Sequence, residues 1–266
     1  MFAQLHKEIC GTGKRPAAPV ERLPPQRREQ STGDIFRSEA NGMASDVSFV
    51  QDGDAWTLSN SSGLTLCGRV GGGTMIDDVR VGSRIYGRFG GMIQLIAMDG
   101  APHWVLADPV KSVRHERAGV CDSVLIVASG CAGEHSFDLV HRITVAPGRT
   151  DFLCEVVEIS NTGRSTFSVR RFYLCPFAAE ESPSVRKGVP NMWKGVRECH
   201  WVMSDGRSYG MVSSDEAAEW FNLWVDGDGR QHPDIDFVPE TAVVLAPGES
   251  YSPSTPMGAR GVVRDE

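Results

Sequence analysis

From Ser45 onward, apolar residues fall on alternate positions in short runs, and Gly, Asp, Asn and Pro separate the runs at intervals typical of antiparallel sheets. This alternation predicts strands at Val47 to Gln51, Ala55 to Asn60, Leu64 to Val70, Met75 to Val81, Met92 to Met98, Lys111 to Glu116 and Ser123 to Ala128. It continues at His135 to Val145, Phe152 to Ser160, Phe167 to Cys175, His200 to Ser204, Tyr209 to Val212, Trp220 to Val225 and Ala242 to Leu245. Asp52-Gly53, Asn161-Thr162-Gly163, Asp205-Gly206 and Asp226-Gly227 supply the turn residues that tolerate positive φ. Few segments carry a helical period. A parallel sheet would need a crossover helix between neighbouring strands, so the pattern predicts an all-β fold. The expected form is a large antiparallel β-sandwich with few or no helices; a barrel is the alternative.

Residues 1–44 break this pattern. Pro16, Pro19, Pro24, Pro25 and the arginines among them leave little aliphatic periodicity, which predicts a disordered arm ahead of one sandwich domain over 45–266. Met43 stands just before the first regular run and offers an alternative start. A formal charge of -7, with acids and bases interleaved, argues against a nucleic-acid partner. No run approaches the roughly 20 apolar residues of a membrane-spanning helix, so no membrane partner is expected. His6, Lys7 and Glu8 interrupt the place where a signal peptide would have its apolar core. Seven widely spaced cysteines without a C-x-x-C pair read as reduced, mostly buried side chains, consistent with a cytoplasmic protein. The pattern calls for no metal and no cofactor.

The stretch His141-Arg142-Ile143-Thr144-Val145-Ala146-Pro147-Gly148-Arg149-Thr150-Asp151-Phe152, continuing to Asn161-Thr162-Gly163, resembles the middle strands of the galactose-mutarotase-like (aldose 1-epimerase-like) β-supersandwich group. Val243-Val244-Leu245-Ala246-Pro247-Gly248-Glu249-Ser250 is similar to the closing strand of that group, and Gly87-Arg88-Phe89-Gly90-Gly91 to its early Gly-Arg segment. The resemblance implies a supersandwich, a concave sheet face that takes sugars, and epimerase or isomerase chemistry. Two departures stand against it. Where the epimerases carry a histidine in a His-Ser-Tyr-Phe-Asn-Leu motif, Arg171 to Phe177 has none; and His232-Pro233-Asp234 follows Arg230-Gln231 rather than a glutamate.

The residues themselves suggest a sugar site. Period-2 geometry puts Trp220, Asn222 and Trp224 on one face of their strand, two indoles and an amide that suit the C–H faces and hydroxyls of a sugar. Burial between sheets is the plainer reading. His232, Asp234 and Asp236 also alternate, although Pro233 points to a loop. His141 shares a register with Phe137, Leu139, Ile143 and Val145. It is a core histidine unless that face lines a cleft, where burial would tune it as an acid or base. Arg171 and Tyr173 share a face, with Arg170 on the other; an arginine among apolar residues calls for a carboxylate, either structural or on a ligand. The expectation is a sugar held by Trp220, Asn222, Trp224, Arg171 and Tyr173, with proton exchange by His141, or His232 with Asp234, while Arg88 orients oxygens. The rivals are a non-catalytic carbohydrate-binding module, and a structural protein whose aromatic face is a homodimer interface.

Overall fold

The computed structural model of the protein describes residues 46–178, 184–187, 198–202, 207–212, 219–225, 231–239, 242–254 and 257–265. The arm expected over 1–44 and the turns at Asp205-Gly206 and Asp226-Gly227 lie outside the described residues. No helix occurs among those described, and every strand pairing is antiparallel. The all-β expectation holds.

One sheet, here called the first, contains β1 (Ser48–Asp52), β2 (Ala55–Ser59), β3 (Leu64–Arg69), β4 (Ile76–Val81), β5 (Arg84–Ala97) and β6 (Pro102–Leu106). The second opens with β7 (Val110–Ala118), β8 (Cys121–Ala132), β9 (His135–Val145) and β10 (Phe152–Asn161). The chain returns to the first sheet for β11 (Phe167–Ala178) and to the second for β12 (Ser184–Lys187), β13 (Glu198–Val202) and β14 (Arg207–Val212). Then follow β15 (Glu219–Val225), β16 (Gln231–Phe237) and β17 (Val243–Leu245) in the first, and β18 (Ser250–Tyr251) and β19 (Met257–Asp265) in the second. The first sheet runs β1-β2-β3-β4-β5-β11-β16-β15, with β6 on β5 and β17 on β11. The second runs β12-β13-β14-β19-β10-β9-β8-β7, with β18 on β10.

The alternation of the sequence reflects the one face each sheet turns to the other. Trp56, Leu58, Phe89, Ile93, Phe172 and Leu174 of the first sheet and Ile126, Phe137, Leu139, Ile143, Phe152 and Cys154 of the second belong to one buried cluster. Phe89 and Phe152 meet edge to face across the layer, centroids 6.0 Å apart.

Two buried asparagines peg the connections. Asn60, in the β2–β3 turn, donates to the carbonyls of Ala146 and Arg149 at 2.8 and 2.7 Å and so ties the first sheet to the loop after β9. Asn161 donates to the carbonyls of Ser165 and Leu245 at 3.0 and 2.9 Å and accepts from the Gly163 N–H. Its backbone also bonds with Gly248 and Glu249, so the Asn-Thr-Gly and Pro-Gly-Glu turns seen in the sequence form one joint.

Several elements differ from the sequence expectation. β5 starts at Arg84, eight residues before the expected Met92, because Gly87, Gly90 and Gly91 lower the strand signal of a segment that is nonetheless paired, with β4 from Arg84 and with β11 from Gly87 onward. Gly91 has a packing reason: a Cβ there would lie 2.5 Å from the His141 ring on the opposite sheet. The loop expected around Pro233 is strand β16. Its ladder with β11 ends at Ile235, so at Pro233 it is recorded with β15 alone, where a residue lacking an N–H is tolerated.

Candidate functional site

Opposed residues of an antiparallel ladder share a face, so register decides which of the expected site residues belong together. Across β5, β11, β16 and β15 the pairings are Arg88↔Phe177, Met92↔Tyr173, Gln94↔Arg171, Tyr173↔Asp236, Asp236↔Trp220, Asp234↔Asn222 and His232↔Trp224. Arg88, Arg171, Tyr173, His232, Asp234, Trp220, Asn222 and Trp224 therefore hold register positions of one parity. The opposite parity carries Phe89, Ile93, Phe172 and Leu174 into the interlayer core. Eight of the nine expected residues thus map to the outer face of the first sheet.

A bulge makes this possible on β11. Val169 opposes Leu95 and Arg171 opposes Gln94, which leaves Arg170 as the extra residue. Before it, Phe167 and Val169 face the core; after it, Phe172 and Leu174 do. Arg170 is exposed, while Arg171 and Tyr173 turn outward. Tyr173 and Met92, only 6% and 7% exposed, form a small cluster separate from the main core. Arg88 is exposed on the same face.

The register adds Trp104, on β6. Trp104 opposes Gln94 on β6, in the row of Arg171, and is 58% exposed. Leu106 opposes Met92 in the next row, which continues through Tyr173 and Asp236 to Trp220. From β6 to β15 that row crosses four strand spacings, about 19 Å at the usual separation. No sequence signal could have found it, because Trp104 joins the others only through long-range pairing.

His141 stands apart. It lies on β9 in the second sheet, fully buried in the interlayer, and its ring packs on Gly91. Neither ring nitrogen has a hydrogen-bond partner among the described residues. Burial alone lowers its pKa to about 3, so the imidazole is neutral at physiological pH. The structure thus places it away from Arg88, Arg171 and Tyr173, on the other side of the first sheet.

Polar order elsewhere is structural in kind. Asp151, at the head of β10, accepts from Arg149 at 2.7 and 2.9 Å and from Arg260 on β19. Burial opposes its charge, but these two guanidiniums more than offset that and hold its pKa below the ordinary value. His115 bonds the buried Asp122 at 2.7 Å and stacks on Phe49, joining β7 to β1 where the sheets meet. Among the described residues no three His, Cys, Asp or Glu side chains converge as metal ligands.

No family model matches the sequence, and no curated protein matches it. Among solved structures, the chain is similar to the GH36 α-galactosidase AgaA of Geobacillus stearothermophilus at 10% identity over 83% of its length, with a TM-score of 0.43. It is similar to AgaB of the same organism at 12% identity over 84%, TM-score 0.43. To the α-N-acetylgalactosaminidase NagBb of Bifidobacterium bifidum it is similar at 14% identity over 84%, TM-score 0.41. The chain spans between 36% and 41% of the length of those three proteins.

Proposed function

We propose that the protein binds a carbohydrate on the outer face of its first sheet and that it is a galactose-mutarotase-like sandwich. The observation that carries this reading is the register: two indole-bearing positions, Trp220 and Trp224, alternate with Asn222 directly opposite Asp236, His232 and Asp234. Aromatic surface for C–H faces and polar groups for hydroxyls are the two things a sugar asks of a protein. Arg171 and Arg88, at register positions of the same parity, would take a carboxylate or phosphate on the sugar.

In the catalytic form of the proposal, epimerase or isomerase chemistry runs through His232 and Asp234. Two residues apart on one strand, they stand about 7 Å apart. One removes a proton from the sugar and the other returns one. His141 has no part in it, since a neutral ring closed between two sheets cannot exchange protons with a ligand on the outer face. The non-catalytic form keeps the platform and omits the transfer. A cytoplasmic location and a homodimer through uncovered parts of this face complete the proposal.

Intrinsic tryptophan fluorescence of the full chain, titrated with neutral sugars, sugar phosphates and uronates, tests it. A saturable change lost in Trp224→Ala supports the platform, and no change with any compound overturns it. With a binding sugar in hand, NMR of its anomers separates the two forms: His232→Ala abolishes exchange in the catalytic form and changes nothing in the other.

A further inference from the structure

At one end of the sandwich, the turn between β5 and β6, the β8–β9 hairpin turn and the β10–β11 connection enclose a cleft of about 400 Å³. We propose that this cleft binds a small ammonium compound that also carries hydroxyl groups, of the amino polyol class. It is distinct from the outer face considered above, since it opens at the rim of the interlayer.

His135 is the residue that asks for a ligand. It begins β9 on the core-facing parity, is 7% exposed, and lines the cleft. Phe167 holds the ring edge to face at 6.1 Å between centroids, and the His103 ring lies 6.4 Å away at a tilt. Its Nδ1 is buried without a hydrogen-bond partner among the described residues. Leaving such an atom unpaired is costly, and a ligand O–H or N–H that donates to it removes that cost.

The rest of the lining sets the ligand's charge. Asp99 and Glu134 contribute carboxylates, Ser165 and Thr166 hydroxyls, and no lysine or arginine lines the cleft among the described residues. Asp99 already accepts from the Ala101 N–H through Oδ1 at 2.9 Å, which fixes the carboxylate at the rim. Two carboxylates around one opening favour a cation, and the hydroxyls and Nδ1 favour a ligand with several O–H groups. Met98, 75% exposed, offers apolar cover for a carbon chain. The volume is at the small end of the range for small-molecule sites, enough for a six-carbon chain.

The probe is N-methylglucamine, with sorbitol as its uncharged counterpart, titrated calorimetrically into the full chain at pH 7.5 while the imidazole nitrogens are followed by NMR. The expected result is saturable binding of N-methylglucamine, a shifted His135 Nδ1 resonance, and affinity at least fivefold lower in Glu134→Gln and for sorbitol. Sorbitol bound as tightly as N-methylglucamine, an unmoved His135 resonance, unchanged affinity in an Asp99→Asn, Glu134→Gln double variant, or no binding would each overturn the proposal. Tryptophan fluorescence with Trp224→Ala reports on the outer face alone, so the two readings fail separately.

Discussion

Replacing His141 with leucine removes an imidazole locked inside the interlayer, and the effect is a change in how stability depends on pH. In the folded chain the imidazole titrates near 3, and its ordinary value is 6.5. The unfolded chain therefore binds a proton that the folded chain refuses throughout that window, so stability falls as pH drops below 6.5. Between pH 8 and pH 5 the ratio of the two binding polynomials grows by a factor of about 30, which is about 2 kcal/mol from this residue alone. Most of the shift would be spent by pH 3. Urea unfolding of wild type and His141→Leu at pH 8 and pH 5 gives four stabilities. The double difference cancels whatever the two proteins share. Wild type should lose about 2 kcal/mol more than the variant over that interval. At pH 8 the variant should match wild type or exceed it, because leucine removes two unpartnered nitrogens from the core. Equal losses in the two proteins would refute the claim that burial keeps this ring neutral.

Two further substitutions test the packing and the ion pairs. Gly91→Ala drives a methyl into the His141 ring and should cost about 1–3 kcal/mol in the same assay, most of it restored when His141→Ala opens the space; simple additivity would mean the two do not touch. Asp151→Asn strips the charge that Arg149 and Arg260 share and should cost about 2–3 kcal/mol at pH 7. Because the folded pKa of Asp151 is lowered, its contribution is complete above the ordinary 3.8 and fades as pH falls through the lowered value, so the deficit of the variant should shrink in acid.

The strands of the two sheets were legible wherever one face packs inward and the other does not. His135 to Val145 is the clearest case, its odd-numbered residues buried without exception and most of the even-numbered ones partly exposed. The alternation also placed His141 on an apolar face. Whether that face met a cleft or a second sheet depended on Gly91, fifty residues away and unreadable from β9 itself. Arg84 to Gly91 and the segment around Pro233 hid as strands because glycine and proline serve turns more often than ladders. The outer-face row was hidden for a different reason. Leu106, Met92, Tyr173, Asp236 and Trp220 come from five strands, and their alignment is set by pairings no local pattern encodes. Trp220, Asn222 and Trp224 could be grouped in advance because they share a strand; His232 and Asp234 could be joined to them only through the β15–β16 register.

The extra residue at Arg170 acts as a frame shift within β11. Upstream of it the strand counts its inward side chains on odd numbers, downstream on even ones, so the two halves obey opposite rules while sharing one ladder with β5. Were the strand to pair without the bulge, with Arg170 taking a place in the ladder, Arg171 and Tyr173 would turn into the core and Phe172 and Leu174 out of it. Length variation is cheap in the turns of such a protein. Here the ladder itself absorbs an extra residue, and it is the bulge that keeps Phe167 and Val169 on the same side as Phe172 and Leu174.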